Sequence, residues 1–138
     1  LGYLYSGVDF SAEASRISVS GSPADLGFEC RDFFSLPLTN CYDVIYDKGV
    51  FHNLGGLRRR NQFIRKVARL LNPCGIWLTV CGSADDLRDE FGHGAIYLRD
   101  LIGPAEIYFE VLEIHSSAYG LIDKKHDFKA WYGAFRRR

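Results

Sequence analysis

The sequence predicts an α/β fold built on a doubly wound, mostly parallel sheet with an antiparallel strand pair at its carboxyl end. Three observations carry this expectation. Strand-like and helix-like segments alternate along the chain. Leu57 to Leu71 repeats apolar residues at helical spacing. The run Ile76 to Val80 (IWLTV) is continuously β-prone, as in a strand covered on both faces.

Taken in order, Tyr3 to Asp9 mixes aromatic and β-branched residues and reads as a strand. Ser11 to Ser20 opens on a capping serine, carries Glu13 in its first turn and reads as a short helix. Gly21-Ser22-Pro23 breaks it. Phe28 to Phe33 is a second strand, Leu36-Pro37-Leu38 a bend, and Tyr42 to Tyr46 a third strand. A glycine-rich connection, Gly49 to Gly56, leads into the helix Leu57 to Leu71. There Phe63, Val67, Leu70 and Leu71 mark one face, and Arg and Lys the other. Pro73 and Gly75 are expected to end this helix. After the strand at Ile76 come a helix at Tyr97 to Ile102 and strands at Phe109 to Ile114 and Phe128 to Phe135.

With 138 residues, the chain suits a single domain. Apolar residues at 47% and charged residues at 25% place it with ordinary globular proteins rather than disordered or fibrous ones. No apolar run approaches a bilayer span, so no membrane partner is expected. Lys plus Arg equals Asp plus Glu, 17 each, so no net field draws the molecule onto nucleic acid. Cys30, Cys41, Cys74 and Cys81 include no Cys-x-x-Cys pair, which argues against a metal or redox site and fits free thiols in a reducing cytoplasm. With no methionine and Leu1 first, further residues are expected upstream in the gene.

Asp9, Asp32 and Asp47 stand at or just after the ends of three successive strands. Those ends line one edge of an open parallel sheet, where ligands bind. A carboxylate there can accept hydrogen bonds from ribose hydroxyls, and a later one from an adenine amine.

The string YDVIYDKGVFHNL, a basic helix, and then LLNPCGIWLTV resemble the fourth strand, following helix and fifth strand of class I S-adenosylmethionine-dependent methyltransferases, especially the small-molecule, thiopurine-methyltransferase-like branch. GVDFS resembles the end of their second strand, and the segment ending AWYGAFRRR their antiparallel sixth and seventh strands. The resemblance implies S-adenosylmethionine as cofactor and a small-molecule methyl acceptor. It puts Asp9 on the ribose hydroxyls with Phe10 beside the adenine, and Asp32 with Phe33 on the adenine edge and face. Asp47, Lys48 and Gly49 would line the methionine side. His52 would lie near the transferred methyl, and His52 or Asp47 would position or deprotonate the acceptor.

Two departures from the family pattern stand out. Pro73-Cys74-Gly75 replaces the usual Pro-Gly-Gly, so a residue with a side chain must tolerate that turn. Only six residues precede Gly7, whereas the family's first strand and Gly-x-Gly-x-Gly loop should come about 20 residues earlier. Without that loop, cofactor binding is expected to be weak or absent. Without that strand, two inner sheet edges are expected to close on each other or to be filled by a second copy in a homodimer. The rival expectations are a truncated relic serving as a binding or assembly module, and a nicotinamide-dinucleotide enzyme using Asp9 on a ribose. Arg58-Arg59-Arg60 and Arg136-Arg137-Arg138 read as a solvated helix face and a solvated tail.

Overall fold

The structure, a computed structural model, describes residues 4–20, 27–39, 42–86, 94–119 and 128–138. The breaker Gly21-Ser22-Pro23, the Gly92-His93 pair and the polar run Lys124 to Asp127 lie outside them. The chain divides into two compact units, Leu1–Leu38 and Thr39–Arg138. No described helix is long and apolar enough to cross a membrane.

The first unit is a βαβ element, with strand β1 (Ser6–Asp9), helix α1 (Ala12–Ser20) and strand β2 (Gly27–Cys30). β1 and β2 pair in parallel, from Ser6 opposite Gly27 to Asp9 opposite Cys30. Gly7 lies against the Phe28 ring, where any Cβ would collide. Ser11 caps α1 as its position predicts, its Oγ accepting from the Ala14 N–H at 3.2 Å. Glu13 pairs with Arg16 one turn on. The second strand stops at Cys30, short of the expected Phe33. Asp32 turns the chain instead: its Oδ1 accepts from the Phe34 N–H at 2.9 Å and caps a 3₁₀ turn over Phe33–Ser35. Among the described residues of this unit, Ser15 alone is buried.

The second unit holds β3 (Tyr42–Lys48), a 3₁₀ turn (Phe51–Asn53), α2 (Gly56–Leu70), β4 (Leu71–Gly82), α3 (Leu98–Glu106), β5 (Phe109–Tyr119) and β6 (Phe128–Arg137). Its sheet order is β3-β4-β6-β5. β3 and β4 run parallel, and β6 inserts antiparallel between β4 and β5. The architecture is therefore the expected α/β arrangement, with parallel βαβ pairs and an antiparallel carboxyl-terminal pair.

Trp77 is the centre of the core. Fully buried on β4, its ring stacks on Phe135 at 4.9 Å and meets Phe109 at 5.5 Å, Phe51 at 5.9 Å and Phe63 at 6.2 Å. α2 closes this layer with Phe63, Ile64, Val67 and Leu70, all buried. These positions share one helical stripe, as the periodicity predicts.

Helix α2 ends at Leu70, and Leu71 is already extended and fully buried, so Pro73 and Gly75 do not terminate it. They lie in an irregularity of β4, where pairing passes from Tyr42–Leu71 to Val44–Ile76. At its tip Cys74 has φ of 63°, a left-handed conformation that L residues adopt at a cost. Cys74→Gly is accordingly expected to raise stability by about 1 kcal/mol in urea unfolding. Helix α3 runs on through Gly103 and Pro104, because Leu101 and Ala105, one turn apart, are both fully buried and anchor it past the breaker pair. The arginine tail is exposed at Arg136 and Arg138, as expected, and is also tied to the sheet. Arg136 pairs with Glu110 at 2.7 Å, Arg137 donates to the Leu71 carbonyl, and Arg138 Nε donates to the Phe109 carbonyl at 3.0 Å.

Candidate functional site

In the first unit, β1 and β2 bring Asp9 and Asp32 to the same end of a parallel pair, with the Arg31 N–H donating to the Asp9 carbonyl at 2.9 Å. Asp9 is half-buried, and its Oδ1 accepts from the Ser11 N–H at 2.8 Å. Its Oδ2 has no partner among the described residues. Phe10, next in the chain, is 85% exposed. The Cys30 thiol lies 3.6 Å from the Phe10 carbonyl and ties the two strand ends together. Asp32 is exposed at the head of its 3₁₀ turn, and Phe33 meets Phe34 edge to face at 5.7 Å. The end of this unit thus carries an available carboxylate oxygen beside an exposed aromatic face. Sugar hydroxyls and a flat base fit such a place.

In the second unit, Asp47, Lys48, Gly49 and His52 gather where β3 gives way to the 3₁₀ turn. Lys48 is exposed. Gly49 has φ of 85° and turns the chain there, which a residue with a Cβ could do only under strain. Asp47 is buried, and both of its oxygens are held by the protein. Oδ2 accepts from the Trp77 indole N–H at 2.9 Å, and Oδ1 accepts from the Phe51 N–H at 3.2 Å. Burial pushes its carboxyl above the usual carboxylate range. That effect outweighs the donors: the Thr79 hydroxyl, which lies near without reaching hydrogen-bond geometry, the Trp77 indole, and the Phe51 and Val50 amides.

Native Asp47 keeps its proton over a pH range in which the unfolded chain, titrating near pH ~4, has released it. Its contribution is fully present below that value and is lost as pH rises through the native value. Relative to Asp47→Asn, wild type is therefore expected to lose stability on going from pH ~4 upward, by at most about 1.4 kcal/mol per pH unit, and then to level off. Thermal melts of both proteins across pH check this.

His52 is buried, and its Nδ1 accepts from the Gly82 N–H at 3.1 Å. A nitrogen that accepts from an amide holds no proton, so the ring is neutral with its proton on Nε2. Cys81, next to Gly82, is a buried thiol pushed up to about 12 by burial, so it stays protonated and inert. Trp77 and Gly82, which fix Asp47 and His52, each lie 30 residues from the side chain they hold. Sequence reading assigns them no such part, and only the register of β3 on β4, with Asp47 opposite Thr79, brings them into range.

Parallel βαβ pairs, with an antiparallel pair at the carboxyl end of the second sheet, define a mixed α/β fold. The sequence pattern of the methyltransferase domain matches residues 1–79, more than half of the chain, and the chain belongs to that family. Solved structures agree in fold. A S-adenosylmethionine-dependent methyltransferase from Methanosarcina mazei superposes with a TM-score of 0.76 at 13% identity, covering 96% of this chain and 81% of that one. The N-methyltransferase NodS from Bradyrhizobium japonicum, in complex with S-adenosyl-L-homocysteine, gives 0.77 at 13% identity over 96% of this chain and 65% of its own. TehB from Haemophilus influenzae gives 0.78 at 17% identity over 100% of this chain and 51% of its own. No curated protein matches the chain in sequence.

Proposed function

We propose that this chain takes part in methyl transfer from S-adenosylmethionine to a small-molecule acceptor, and that the end of the β1–β2 pair holds the adenosine half of the cofactor. The observation that carries this reading is the uncommitted Asp9 Oδ2 beside the exposed ring of Phe10, in a chain of the methyltransferase family. The carboxylate accepts from the ribose hydroxyls while its other oxygen stays anchored on the Ser11 amide. Phe10 packs on the base, and Asp32 and Phe33 meet the adenine edge and face.

When bound, the cofactor supplies a methyl group already activated on a sulfonium, so the protein's share is orientation and the exclusion of water. Lys48 and Gly49 are assigned to the methionine portion on the family resemblance. Asp47 supports them by holding the 3₁₀ turn in place. His52, whose Nδ1 accepts from the Gly82 N–H, is assigned to the acceptor side on the family resemblance.

Thermal melts with two ligands test the reading. S-adenosylhomocysteine is expected to raise the melting temperature and NAD is not; a rise with NAD alone would move the chain to the dinucleotide enzymes. A second reading, self-association, is favoured by β3, an end strand of its sheet on which Val44 and Tyr46 are 53% and 59% exposed. Sedimentation showing only monomer at every concentration rules against it.

A further inference from the structure

Helix α2 carries Arg58, Arg59, Arg60, Arg65, Lys66 and Arg69 and no acidic residue, so six of the chain's 17 basic residues sit on one 15-residue helix. Elsewhere the molecule pairs its arginines: Arg16 with Glu13, Arg31 with Glu29, and Arg136 with Glu110. Arg58, Arg65 and Arg69 are exposed and have no ion-pair or hydrogen-bond partner among the described residues. Spaced seven and four residues apart, they lie on one stripe, opposite the buried face of Phe63, Val67 and Leu70. Beside that stripe runs an open groove of about 490 Å³, lined by Leu57, Arg58, Asn61, Gln62, Arg65 and Tyr108.

We propose that this groove docks an extended acidic peptide segment of a partner protein. Seven residues of helix separate the Arg58 and Arg65 positions by about 10.5 Å along the axis. Carboxylates three residues apart on a peptide extended as polyproline II, with three residues per turn and a rise of about 3.1 Å, lie on one face about 9 Å apart, so the two spacings match. Between the arginines, the Asn61 and Gln62 carboxamides each offer a donor and an acceptor, the complement of a peptide backbone. Leu57 and the Tyr108 ring supply apolar floor. A phosphate backbone would use only the charges, and a chain whose basic and acidic residues balance lacks the long-range field by which nucleic acid is captured. The inference stands apart from the methyl-transfer reading, since none of its residues belongs to the candidate cofactor site.

The test is fluorescence anisotropy of a labelled 12-residue peptide with Asp or Glu at every third position, titrated with the full chain at low salt. Saturable binding is expected, weakened about tenfold or more in Arg58→Glu/Arg65→Glu. The milder pair Arg58→Gln/Arg65→Gln should weaken it in the same direction, and Arg99→Glu, outside the groove, should leave it unchanged. Circular dichroism confirms that each variant is folded. Absence of saturable binding overturns the proposal, as does equal weakening by Arg99→Glu. Tighter binding of a single-stranded oligonucleotide of the same length also overturns it, in favour of a nucleic-acid surface.

Discussion

Trp77→Ala is expected to destabilise the second unit by about 4 kcal/mol or more, a large part of the roughly 5–15 kcal/mol that holds a domain folded. The ring is fully buried among four other aromatic rings, so its removal leaves a cavity that α2 and the sheet cannot close. It also strips a buried carboxylate of the indole donor 2.9 Å away. Trp77→Phe separates the two effects. It keeps most of the packing and loses the N–H, and it should cost about 1–3 kcal/mol. Urea unfolding followed by circular dichroism measures both, and a loss under 1 kcal/mol for the alanine variant would mean that the core lies elsewhere.

Asp9→Ala is expected to weaken S-adenosylhomocysteine binding by about 10- to 100-fold, the loss of one or two hydrogen bonds to a charged acceptor. Because Asp9 also anchors the Ser11 amide, the alanine variant loosens the start of α1 as well. Asp9→Asn retains an acceptor for Ser11 but turns the ribose-facing group into a donor. It should bind as poorly as the alanine variant while melting like wild type. If Asp9→Asn binds like wild type, the ribose contact is absent.

The elements whose signals are local were legible in advance. Ser11 caps α1, the apolar stripe of α2 faces the core, and a side chain does sit in the tight turn at Cys74, at the expected strain. Punctuation residues misled where tertiary contacts overrode them. Pro73 and Gly75 suggested a helix end, but pairing of Leu71 with Tyr42 makes that segment strand. The helix expected over Tyr97 to Ile102 runs on to Glu106, because burial of Leu101 and Ala105 carries α3 through Gly103 and Pro104.

At the candidate site, sequence placed the carboxylates at strand ends and could go no further. Whether an aspartate faces a ligand or the core depends on partners far along the chain. Asp9 spends one oxygen on its neighbour Ser11, while Asp47 spends both oxygens inside the protein, one of them on an indole from the next strand. The anchors of the exposed Arg136–Arg138 tail were illegible for the same reason, since Glu110, Leu71 and Phe109 lie 26 or more residues away.

Calorimetric titration of the chain with S-adenosylhomocysteine decides whether the end of the β1–β2 pair holds the cofactor. The expected result is a saturable isotherm with one site per chain, displaced by S-adenosylmethionine and weakened in Asp9→Asn. No heat of binding up to millimolar ligand would contradict it.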